Sequence, residues 1–594
     1  MDIIVQKYFA NSNKKKMKTV KSVSLIIFSL LFSATLSRAQ EQRGYYDAPY
    51  TRYEADQGTL TNASVPTMSF SQKDLQSEAS EQVCVNLSGK DASVEWKVKK
   101  EGDGLVVRYS VPDEKSGELD VYANGKLVGT LKLTSYYSWE YLTSNGNSNN
   151  VAVRNDNPKM RFDEVRLKLP SKIPAGGRLK LVAKSGEIHL DFAELEPVPE
   201  AVKPQSTDLI YSGDGSDLQV FIDNKGGGKS IFVPTGVYNI NRELYFGVPS
   251  TQLKGAGMWY TQLNFTSETA YQGGLRANAR DISFYDLYLT TNRNSRSSTY
   301  KGINGVFTSK SVIKNVWAEH FECGAWIAQY NIGDIAFADG LTVTQCRFRN
   351  NYADGINLCK GTRNSIVEHC SFRNNGDDDM ATWSADGLEC QNNTFAYCTS
   401  ENGWRAAGCS FYGGLSNKAH HLLIKDHVEA GLRVNNSFPG VGFNDTGMHE
   451  FTNITLIRCG SFNDLFYNMV GAIDLSCVSV AGNKIQNIRF ANIDIIDSKD
   501  NAILINKSGG KGFYNMVFQN ITIDGTGREY PYNNEMKKDW FRGFGILFAQ
   551  SPAGNGTFCN IVVKNQGGNA LVDIDKNSMG SFVWKEEKEC PVAK

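Results

Sequence analysis

The sequence predicts an all-β protein in which a β-sandwich of the jelly-roll type precedes a right-handed parallel β-helix. Short alternating apolar runs separated by turn residues fill the first third, and an asparagine-led apolar pattern recurs through the rest. Long amphipathic helical patterns are absent. We place the sandwich at residues 46–199 and the β-helix at residues 205–594. A chain of 594 residues with 55 glycines and 15 prolines suits two or more globular domains.

Residues 1–39 have the pattern of a signal peptide. A basic stretch at 14–21 precedes an apolar run at 23–36, and Ser37, Arg38 and Ala39 form a small-x-small cleavage site before Gln40. The run is short for a membrane span, which needs about 20 residues. A membrane anchor is the alternative. We expect translation to start at Met17 and the mature protein to be secreted or periplasmic.

The charge balance argues against a nucleic-acid partner. The whole chain has 63 basic and 63 acidic residues. Residues 1–39 contain seven of the basic residues and one acid, so 56 basic and 62 acidic residues remain after cleavage. Binding a phosphate backbone requires a basic surface. We expect a monomer with neither a nucleic-acid partner nor a membrane partner after cleavage.

Twelve cysteines in an exported chain would ordinarily predict disulfides. Here most of them lie between Cys323 and Cys559, inside strand-like patterns with irregular spacing. Cys346 and Cys370 occupy the same place in two copies of one motif, so we expect them to be neighbours in a buried ladder. No Cys-x-x-Cys pair occurs, which makes a zinc site unexpected.

The first unit contains hairpin signals, such as Asn124 and Gly125 between two alternating runs. It opens with Tyr-Glu-Ala-Asp at 53–56 and closes with an aspartate-containing strand around Asp191. This arrangement resembles carbohydrate-binding modules of families 6 and 35. The resemblance implies a structural calcium near the terminal strands, with Glu54, Asp56 and Asp191 as candidate ligands.

An aromatic cluster in the first unit is a candidate platform for sugar rings. Strand alternation would place three of its members on one face and Tyr136 on the other. Core packing is the alternative. The cluster consists of Tyr136, Tyr137, Trp139 and Tyr141.

The second unit follows a proline-containing stretch at 196–204, which we interpret as a linker. Its first residues resemble the opening turn of pectate-lyase-like β-helices, in which a short helix caps the core. Asparagines followed by alternating apolar residues then recur at Asn315, Asn453, Asn487, Asn515 and Asn560. Coils of this kind bury their apolar faces only by stacking, which favours a solenoid over a propeller or two stacked sandwiches.

Two successive coils carry nearly the same six residues, Cys-Arg-Phe-Arg-Asn-Asn at 346–351 and Cys-Ser-Phe-Arg-Asn-Asn at 370–375. The same offset puts Asp354 in register with Asp378, and Asp377 lies beside Asp378. Because neighbouring strands are about 4.8 Å apart, register alone groups these carboxylates. Like charges this close raise one pKa, which yields an acid beside a base. Solvated loop aspartates or a calcium site remain alternatives.

The second unit resembles the α-1,3-glucanases of glycoside hydrolase family 87, the mycodextranase and mutanase group. The resemblance rests on an Asp-Gly motif at 354–355 and a Gly-Asp-Asp motif at 376–378 on the next coil. It implies that Asp354, Asp377 and Asp378 are catalytic in an inverting endo-hydrolysis that uses no cofactor. The sequence does not determine which aspartate is the acid. Because Asp379 follows directly, the Asp-Asp pair of the motif could also be shifted by one residue. Inverting carboxyls lie about 6.5–9.5 Å apart, so the loop after Gly376 must splay the pair.

Rings near the acidic patch are candidates for glucose subsites, with core packing as the alternative. Asp386, His420 and His421 are candidates for hydroxyl contacts. The candidate rings are Tyr352, Trp383, Trp404 and Tyr412.

The preferred substrate is a neutral α-glucan, because the basic residues near the patch are few. Those basic residues are Arg347, Arg349 and Arg373. The rivals are another inverting β-helix hydrolase of the dextranase or polygalacturonase type, and a non-catalytic β-helix glycan-binding protein.

Overall fold

The computed structural model confirms the predicted all-β fold class. It describes residues 48–89, 91–141, 158–296, 300–328, 337–436, 440–463, 468–478, 484–527, 543–567, 574–588 and 590. The predicted signal peptide lies outside these residues. Within them, no helix has the length and apolar character to cross a membrane. The helices described are Leu75–Glu78, Ser80–Gln82, Leu218–Phe221, Ile222–Gly226 and Lys576–Ser578.

Within the described residues, the sandwich consists of two antiparallel sheets of five strands each. Asn124 and Gly125 make the predicted hairpin turn, with φ of 51° and 80°. The sheet that faces the β-helix, here called the inner sheet, contains Thr51–Glu54, Val85–Asn86, Gly102–Ser110, Asp163–Ile173 and His189–Glu196. The outer sheet contains Thr59–Thr61, Ser93–Lys97, Ser116–Ala123, Lys126–Thr134 and Arg178–Ser185.

Parallel coils stack into three ladders of strands, numbered in the order in which the chain meets them in each coil. The short strands of ladder 1 are Leu209–Ile210, Ser230–Phe232, Gln252–Lys254, Thr342–Thr344, Ile366–Glu368, Thr394–Ala396 and Lys418–His420. Those of ladder 2 are Gly236–Ile240, Thr261–Phe265, Arg347–Arg349, Ser371–Arg373, Thr399–Glu401 and Leu423–Lys425.

Longer strands run through ladders 1 and 2 and join them into one bent sheet. They are Ser283–Thr291, Val312–Glu319, His449–Ile457, Ile485–Ser498, Phe513–Thr526 and Ala553–Gln566, and Ser581–Glu587 pairs with the last of them.

Ladder 3 is a separate sheet, which has eleven strands in the part of the chain that the structure describes. They are Leu244–Phe246, Leu275–Asn278, Lys301–Val306, Cys323–Ile327, Ile356–Cys359, Met380–Trp383, Ala407–Tyr412, Ala430–Asn435, Ile473–Ser476, Ile503–Asn506 and Ile546–Ala549. A small hairpin, Phe462–Asn463 with Asn468–Met469, projects from one coil.

The core inside the coils is built from repeated side chains in register. Phe348 stacks on Phe372 with ring centroids 5.5 Å apart. Cys346 and Cys370 are buried neighbours, as predicted, and the Cys346 N–H donates to the Cys370 sulfur at 3.4 Å. Cys559 departs from the prediction because it forms a disulfide with Cys590. The partner lies in the last few residues, where no strand pattern places it.

The asparagine repeat forms two ladders rather than one. Asn492 donates to Asn453, Asn520 to Asn492 and Asn560 to Asn520, at 2.9–3.1 Å. Asn515 donates to Asn487 in a separate ladder at 2.7 Å. The prediction merged the two because a strand of fourteen residues, Ile485–Ser498, carries one asparagine of each kind. Positive φ at these turns suits asparagine.

Buried ion pairs join the inner sheet to ladder 2. Arg373 donates to Glu164, Glu194 and Glu401 at 2.6–3.0 Å. Arg349 also faces Glu164, and Arg347 pairs with Glu196 at 2.5 Å. The prediction that these three arginines lie by the acidic patch is therefore wrong. The sandwich covers them, and their charges belong to the interface.

The stretch at 196–204 packs against the β-helix instead of forming a free linker. The Trp259 indole donates to the Glu196 carboxylate, and the Tyr260 hydroxyl donates to the Pro199 carbonyl at 2.7 Å. Val202 N–H donates to the Ala256 carbonyl at 2.9 Å. These contacts fix the sandwich against the coils.

The three candidate calcium ligands of the sandwich do not converge on one site. Two of them contact other side chains, and the third is exposed. The Asp191 carboxylate pairs with the Arg108 guanidinium, and both side chains are fully buried. Glu54 accepts from the Ser80 hydroxyl at 3.2 Å, while Asp56 is exposed. The structural calcium stays a prediction without a converged ligand set among these three residues.

Candidate active site

The acidic patch lies where the chain turns from ladder 2 to ladder 3. Asn350 and Asn374 turn the coil there with φ of 53° and 57°, a conformation that asparagine tolerates. Asn374 donates to Asn350 at 2.9 Å, so the two turns stack on one another. The strands on either side keep the predicted 24-residue register, since Phe348 pairs with Phe372 and Ile356 pairs with Met380.

Two glycines beside the carboxylates allow neighbouring coils to approach closely. A Cβ at Gly355 would lie 2.6 Å from the Asp379 carbonyl, and a Cβ at Gly376 would lie 2.4 Å from the Tyr352 carbonyl. Only glycine permits such close approach of neighbouring coils. The Asp-Gly and Gly-Asp-Asp motifs therefore have a packing reason as well as a chemical one.

Asp354, Asp377 and Asp378 converge as predicted. One carboxylate oxygen of each lies within 4.8 Å of one oxygen of each of the others. Asp354 and Asp378 are 7% and 3% exposed, while the Asp377 side chain is 24% exposed. These oxygen–oxygen distances are shorter than the about 6.5–9.5 Å that we expected between the carboxyl groups. They give no sign that the loop after Gly376 moves Asp377 or Asp378 away from Asp354.

The Asp377 carboxylate is held ionised by arginines. Burial raises the pKa of Asp377, but Arg296 and Arg405 outweigh this and leave it below its usual value. The Arg296 guanidinium donates to Asp377 Oδ2 at 2.5 Å. Arg433 lowers the pKa of Asp377 further. One member of the cluster is therefore an anion.

The other two carboxyls retain protons more readily. Burial and the neighbouring Asp377 raise the pKa of Asp378 to about 7. The Ser410 hydroxyl donates to Asp378 at 2.7 Å, and the Ala407 N–H donates at 3.1 Å. Burial, with the charges of Asp377 and Asp378, raises the pKa of Asp354 well above its usual value. The cluster thus combines one carboxylate whose pKa is lowered with two carboxyls whose pKa values are raised.

Asp379 does not belong to the cluster, which resolves the one-residue ambiguity in the sequence. Its side chain is fully buried and accepts from Asn375 at 2.7 Å and from Ser400 at 2.6 Å. His427 lies 3.4 Å from the same carboxylate. Asp379 therefore ties neighbouring coils together.

The prediction that Tyr352 and Trp404 line glucose subsites is wrong. Tyr352 and Trp404 are each 1% exposed and pack together with Met160 of the sandwich. The Tyr352 hydroxyl donates to the Tyr137 carbonyl at 2.8 Å, and the Trp404 indole donates to the Asn374 carbonyl at 3.2 Å. These rings support the coil that carries Asp377 and are inaccessible to a sugar.

Trp383 and Tyr412 lie on ladder 3, in register with each other. Trp383 is half-buried and meets Trp326 edge-to-face at 6.1 Å. Tyr412 is 8% exposed, and its hydroxyl hydrogen-bonds Asp378. Trp326, which sequence reasoning missed, lies two coils before Trp383. These rings form an aromatic surface beside the carboxyls.

The remaining candidates lie away from the cluster. Asp386 is exposed in the turn after ladder 3 and pairs with Lys360 at 2.8 Å. His420 is in ladder 1, where its Nδ1 lies 2.9 Å from that of His421 and its ring meets Tyr397. Because ladder 2 separates it from the aspartates, the assignment of His420 to the site is wrong.

Asp354, Asp377 and Asp378 could also hold a metal ion, and they are the group with suitable geometry in the described part of the chain. Carboxylate oxygens suit Ca²⁺ or Mg²⁺. Arginines face the cluster, however, and Arg296 already occupies one oxygen of Asp377. The arrangement fits acid–base chemistry better than cation binding.

A parallel β-helix with converging carboxyls beside an aromatic surface defines a polysaccharide hydrolase. Residues 47–198 match the family profile "Alpha-1,3-glucanase catalytic domain D1", and residues 216–571 match the profile of domain D2. The chain belongs to the α-1,3-glucanase family and is a glycoside hydrolase that acts on α-1,3-glucan. The sandwich is therefore a catalytic-region domain of this family, while sugar binding by it stays a prediction.

Solved structures agree with this assignment. The crystal structure of the Agl-KA catalytic domain is 34% identical with a TM-score of 0.83, covering 92% of this chain and 99% of that one. A family 87 α-1,3-glucanase in complex with nigerose is 24% identical with a TM-score of 0.75, covering 91% and 99%. The enzyme from Streptomyces thermodiastaticus strain HF3-3 is 23% identical with a TM-score of 0.73, covering 92% and 97%. The last two share the fold. No curated protein matches the sequence at a significant level.

Proposed function

We propose that this protein is a secreted, inverting endo-hydrolase of α-1,3-glucosidic linkages in mutan- or nigeran-type glucan, with Asp354, Asp377 and Asp378 as its acid–base machinery. The observation that carries the proposal is the convergence of these three carboxyls where the chain turns from ladder 2 to ladder 3. Residues 1–39 support secretion. The chemistry requires no cofactor.

The ionisation of the cluster suits this reaction. Glycoside hydrolysis needs a protonated carboxyl to donate to the leaving oxygen and a carboxylate to activate water. Asp377, beside Arg296, supplies an anion, and Asp378, with a pKa of about 7, supplies a proton in neutral and acidic solution. A substrate with an activated leaving group identifies the general acid. The Asp→Asn variant of that residue is expected to retain turnover on this substrate and to lose it on the glucan. Azide rescue identifies the base.

We expect the first product released from the α-linked chain to be the β-anomer. Inversion requires water to enter on the face opposite the leaving group, and a group separation of about 6.5 Å or more gives it room. The 4.8 Å bound applies to the nearest oxygens, which are closer than the carboxyl groups as a whole. Proton NMR of the product within the first minutes tests this. An initial α-anomer would establish retention instead.

A neutral glucan fits the aromatic surface of Trp326 and Trp383. A related α-1,3-glucanase, 25% identical, is known as an aspartate-to-alanine variant in complex with tetrasaccharides. Arg296, Arg405 and Arg433 near Asp377 would also attract an acidic sugar, which keeps the polygalacturonase-like rival testable.

A panel of three polysaccharides tests the substrate. We expect reducing ends from insoluble α-1,3-glucan at least about a hundredfold faster than from dextran or polygalacturonate, because a misplaced linkage costs about that factor. Release from polygalacturonate alone would overturn the proposal. Glucan binding without turnover, unchanged in Asp377→Asn, would favour the glycan-binding protein.

A further inference from the structure

Two tyrosines of the aromatic segment that is the candidate sugar platform contact the β-helix. This segment, residues 135–141, is here called the clamp, and residues 291–296 are called the arginine loop. The Tyr136 hydroxyl donates to the Asn292 carbonyl at 2.6 Å, and the Tyr137 hydroxyl donates to the Thr291 carbonyl at 3.0 Å. The clamp thus binds the backbone of the arginine loop at two successive residues.

A third contact reaches the end of the arginine loop. The Glu140 carboxylate, only 1% exposed, accepts from the Arg296 N–H at 3.4 Å. Glu140 is itself held by paired backbone hydrogen bonds with Lys159, at 2.8 and 2.9 Å. The sandwich therefore reaches the residue that contacts the acidic patch.

Tyr137 is fixed from two further sides. Its ring stacks on His320 with centroids 3.8 Å apart and planes 7° from parallel. His320 is held by Asp163 at 2.9 Å, and the Tyr137 carbonyl accepts from the Tyr352 hydroxyl at 2.8 Å. These contacts hold Tyr137 against the β-helix on several sides.

Arg296 bridges the two coils that carry the carboxyls. Its guanidinium donates to the Tyr352 carbonyl at 3.3 Å, to the Gly376 carbonyl at 3.1 Å and to Asp377 Oδ2 at 2.5 Å. The first acceptor lies two residues before Asp354 and the second lies directly before Asp377. The planar guanidinium of arginine carries several N–H donors in a fixed fork that reaches all three acceptors. The ammonium group of a lysine does not match this geometry.

We propose that Arg296 is a positioning residue for Asp377, and that the clamp of the sandwich sets its place. This inference rests on the proposed role of Asp377 in the hydrolysis. The sandwich then works as a structural part of the active site, which is a different task from holding glycan. Truncating it removes the support of Arg296 along with any binding face.

The test compares kcat, KM and the pH profile of kcat/KM on a soluble α-1,3-linked oligosaccharide. Charged groups that face Asp377 are Arg296, Arg405, Arg433, Asp354 and Asp378. Loss of Arg296 is expected to raise the pKa of Asp377. The part of the pH profile that reports the titration of Asp377, here called the limb, then moves to higher pH. A neighbouring opposite charge is worth about one pH unit or more.

For Arg296→Met we expect kcat to fall about tenfold or more while KM changes less than about threefold, because orientation and not affinity is lost. Arg296→Lys, which keeps the charge, returns the limb toward its parental pH and recovers only part of kcat. The double variant Tyr136→Phe with Tyr137→Phe moves the limb in the same direction as Arg296→Met. Tyr141→Phe is the matched control, since its hydroxyl donates to Asp113 inside the sandwich.

The outcomes separate this inference from the proposed function. An active parent with an unmoved limb in Arg296→Met would overturn the role of Arg296. A moved limb in Arg296→Met, with the double tyrosine variant identical to Tyr141→Phe, would overturn the role of the clamp. An inactive parent would overturn the proposed function itself, and this inference with it.

Discussion

Replacing any one of Asp354, Asp377 and Asp378 by asparagine lowers kcat on α-1,3-glucan by about 10²–10⁴-fold, the range expected for loss of a general acid or base. Asparagine keeps the volume and one acceptor but neither gives up a proton nor carries the charge. The three carboxyls share one electrostatic unit, because burial and their mutual repulsion raise the pKa values of Asp354 and Asp378. Their effects are therefore expected to be non-additive in a double variant.

Asp524→Asn is the matched control for these variants. Asp524 is a strand aspartate several coils away, and it pairs with Lys564 at 3.0 Å on the surface. Because Asp524 lies outside the cluster and surface substitutions change stability by only about 0.5 kcal/mol or less, its substitution is expected to change kcat by less than about twofold. Thermal unfolding of all four variants within a few degrees of the parent would attribute the lost turnover to chemistry. Parental turnover in Asp354→Asn, Asp377→Asn or Asp378→Asn would remove that residue from the machinery.

Arg373→Met destabilises the fold by about 3–5 kcal/mol, the cost of breaking a buried ion pair on one side. The Arg373 guanidinium is fully buried and bonds to Glu164, Glu194 and Glu401. Arg373 lowers the pKa values of these carboxylates against the effect of burial. Without Arg373, carboxylates of both domains face each other with too few cations. The free energy of unfolding from urea titration at neutral pH measures the effect.

Arg178→Met is the control for charge removal as such. Arg178 pairs with Glu95 at 2.7 Å, but its side chain is 69% exposed, and exposed pairs contribute about 0–1 kcal/mol. A loss in Arg373→Met no larger than that in Arg178→Met would contradict the interface role. The comparison also tests whether the arginine of the repeated motif is structural, because sequence reasoning had placed it by the acidic patch.

Register made the carboxyl cluster predictable. The 24-residue offset between the two cysteine-led motifs equals the coil length there, so Asp354 and Asp378 were bound to be neighbours. The fold class followed from the same periodicity, because only stacked coils bury such a pattern. Asp379 could not be separated from Asp378 in this way. Its inward direction depends on Asn375 and Ser400 of neighbouring coils.

Residues whose role depends on the contact between the two domains could not be predicted. Tyr352 and Trp404 look like exposed rings beside an acidic patch, yet Met160 of the sandwich covers them. Arg296 lies in an irregular loop with no repeat to align it. Its distance along the chain from Asp377 gives no periodic signal. Trp326 could have been found, because ladder 3 alternates between core and surface.

The role of the three aspartates is tested most directly by reducing-sugar release from insoluble α-1,3-glucan. The protein lacking residues 1–39 is compared with its Asp354→Asn, Asp377→Asn and Asp378→Asn variants at equal concentration. We predict steady release by the parent and about 10²–10⁴-fold less by each variant. Glucan that is bound but not cleaved by the folded parent would contradict the assigned hydrolysis, and glucan that is cleaved equally well by the variants would contradict the catalytic role of the three aspartates.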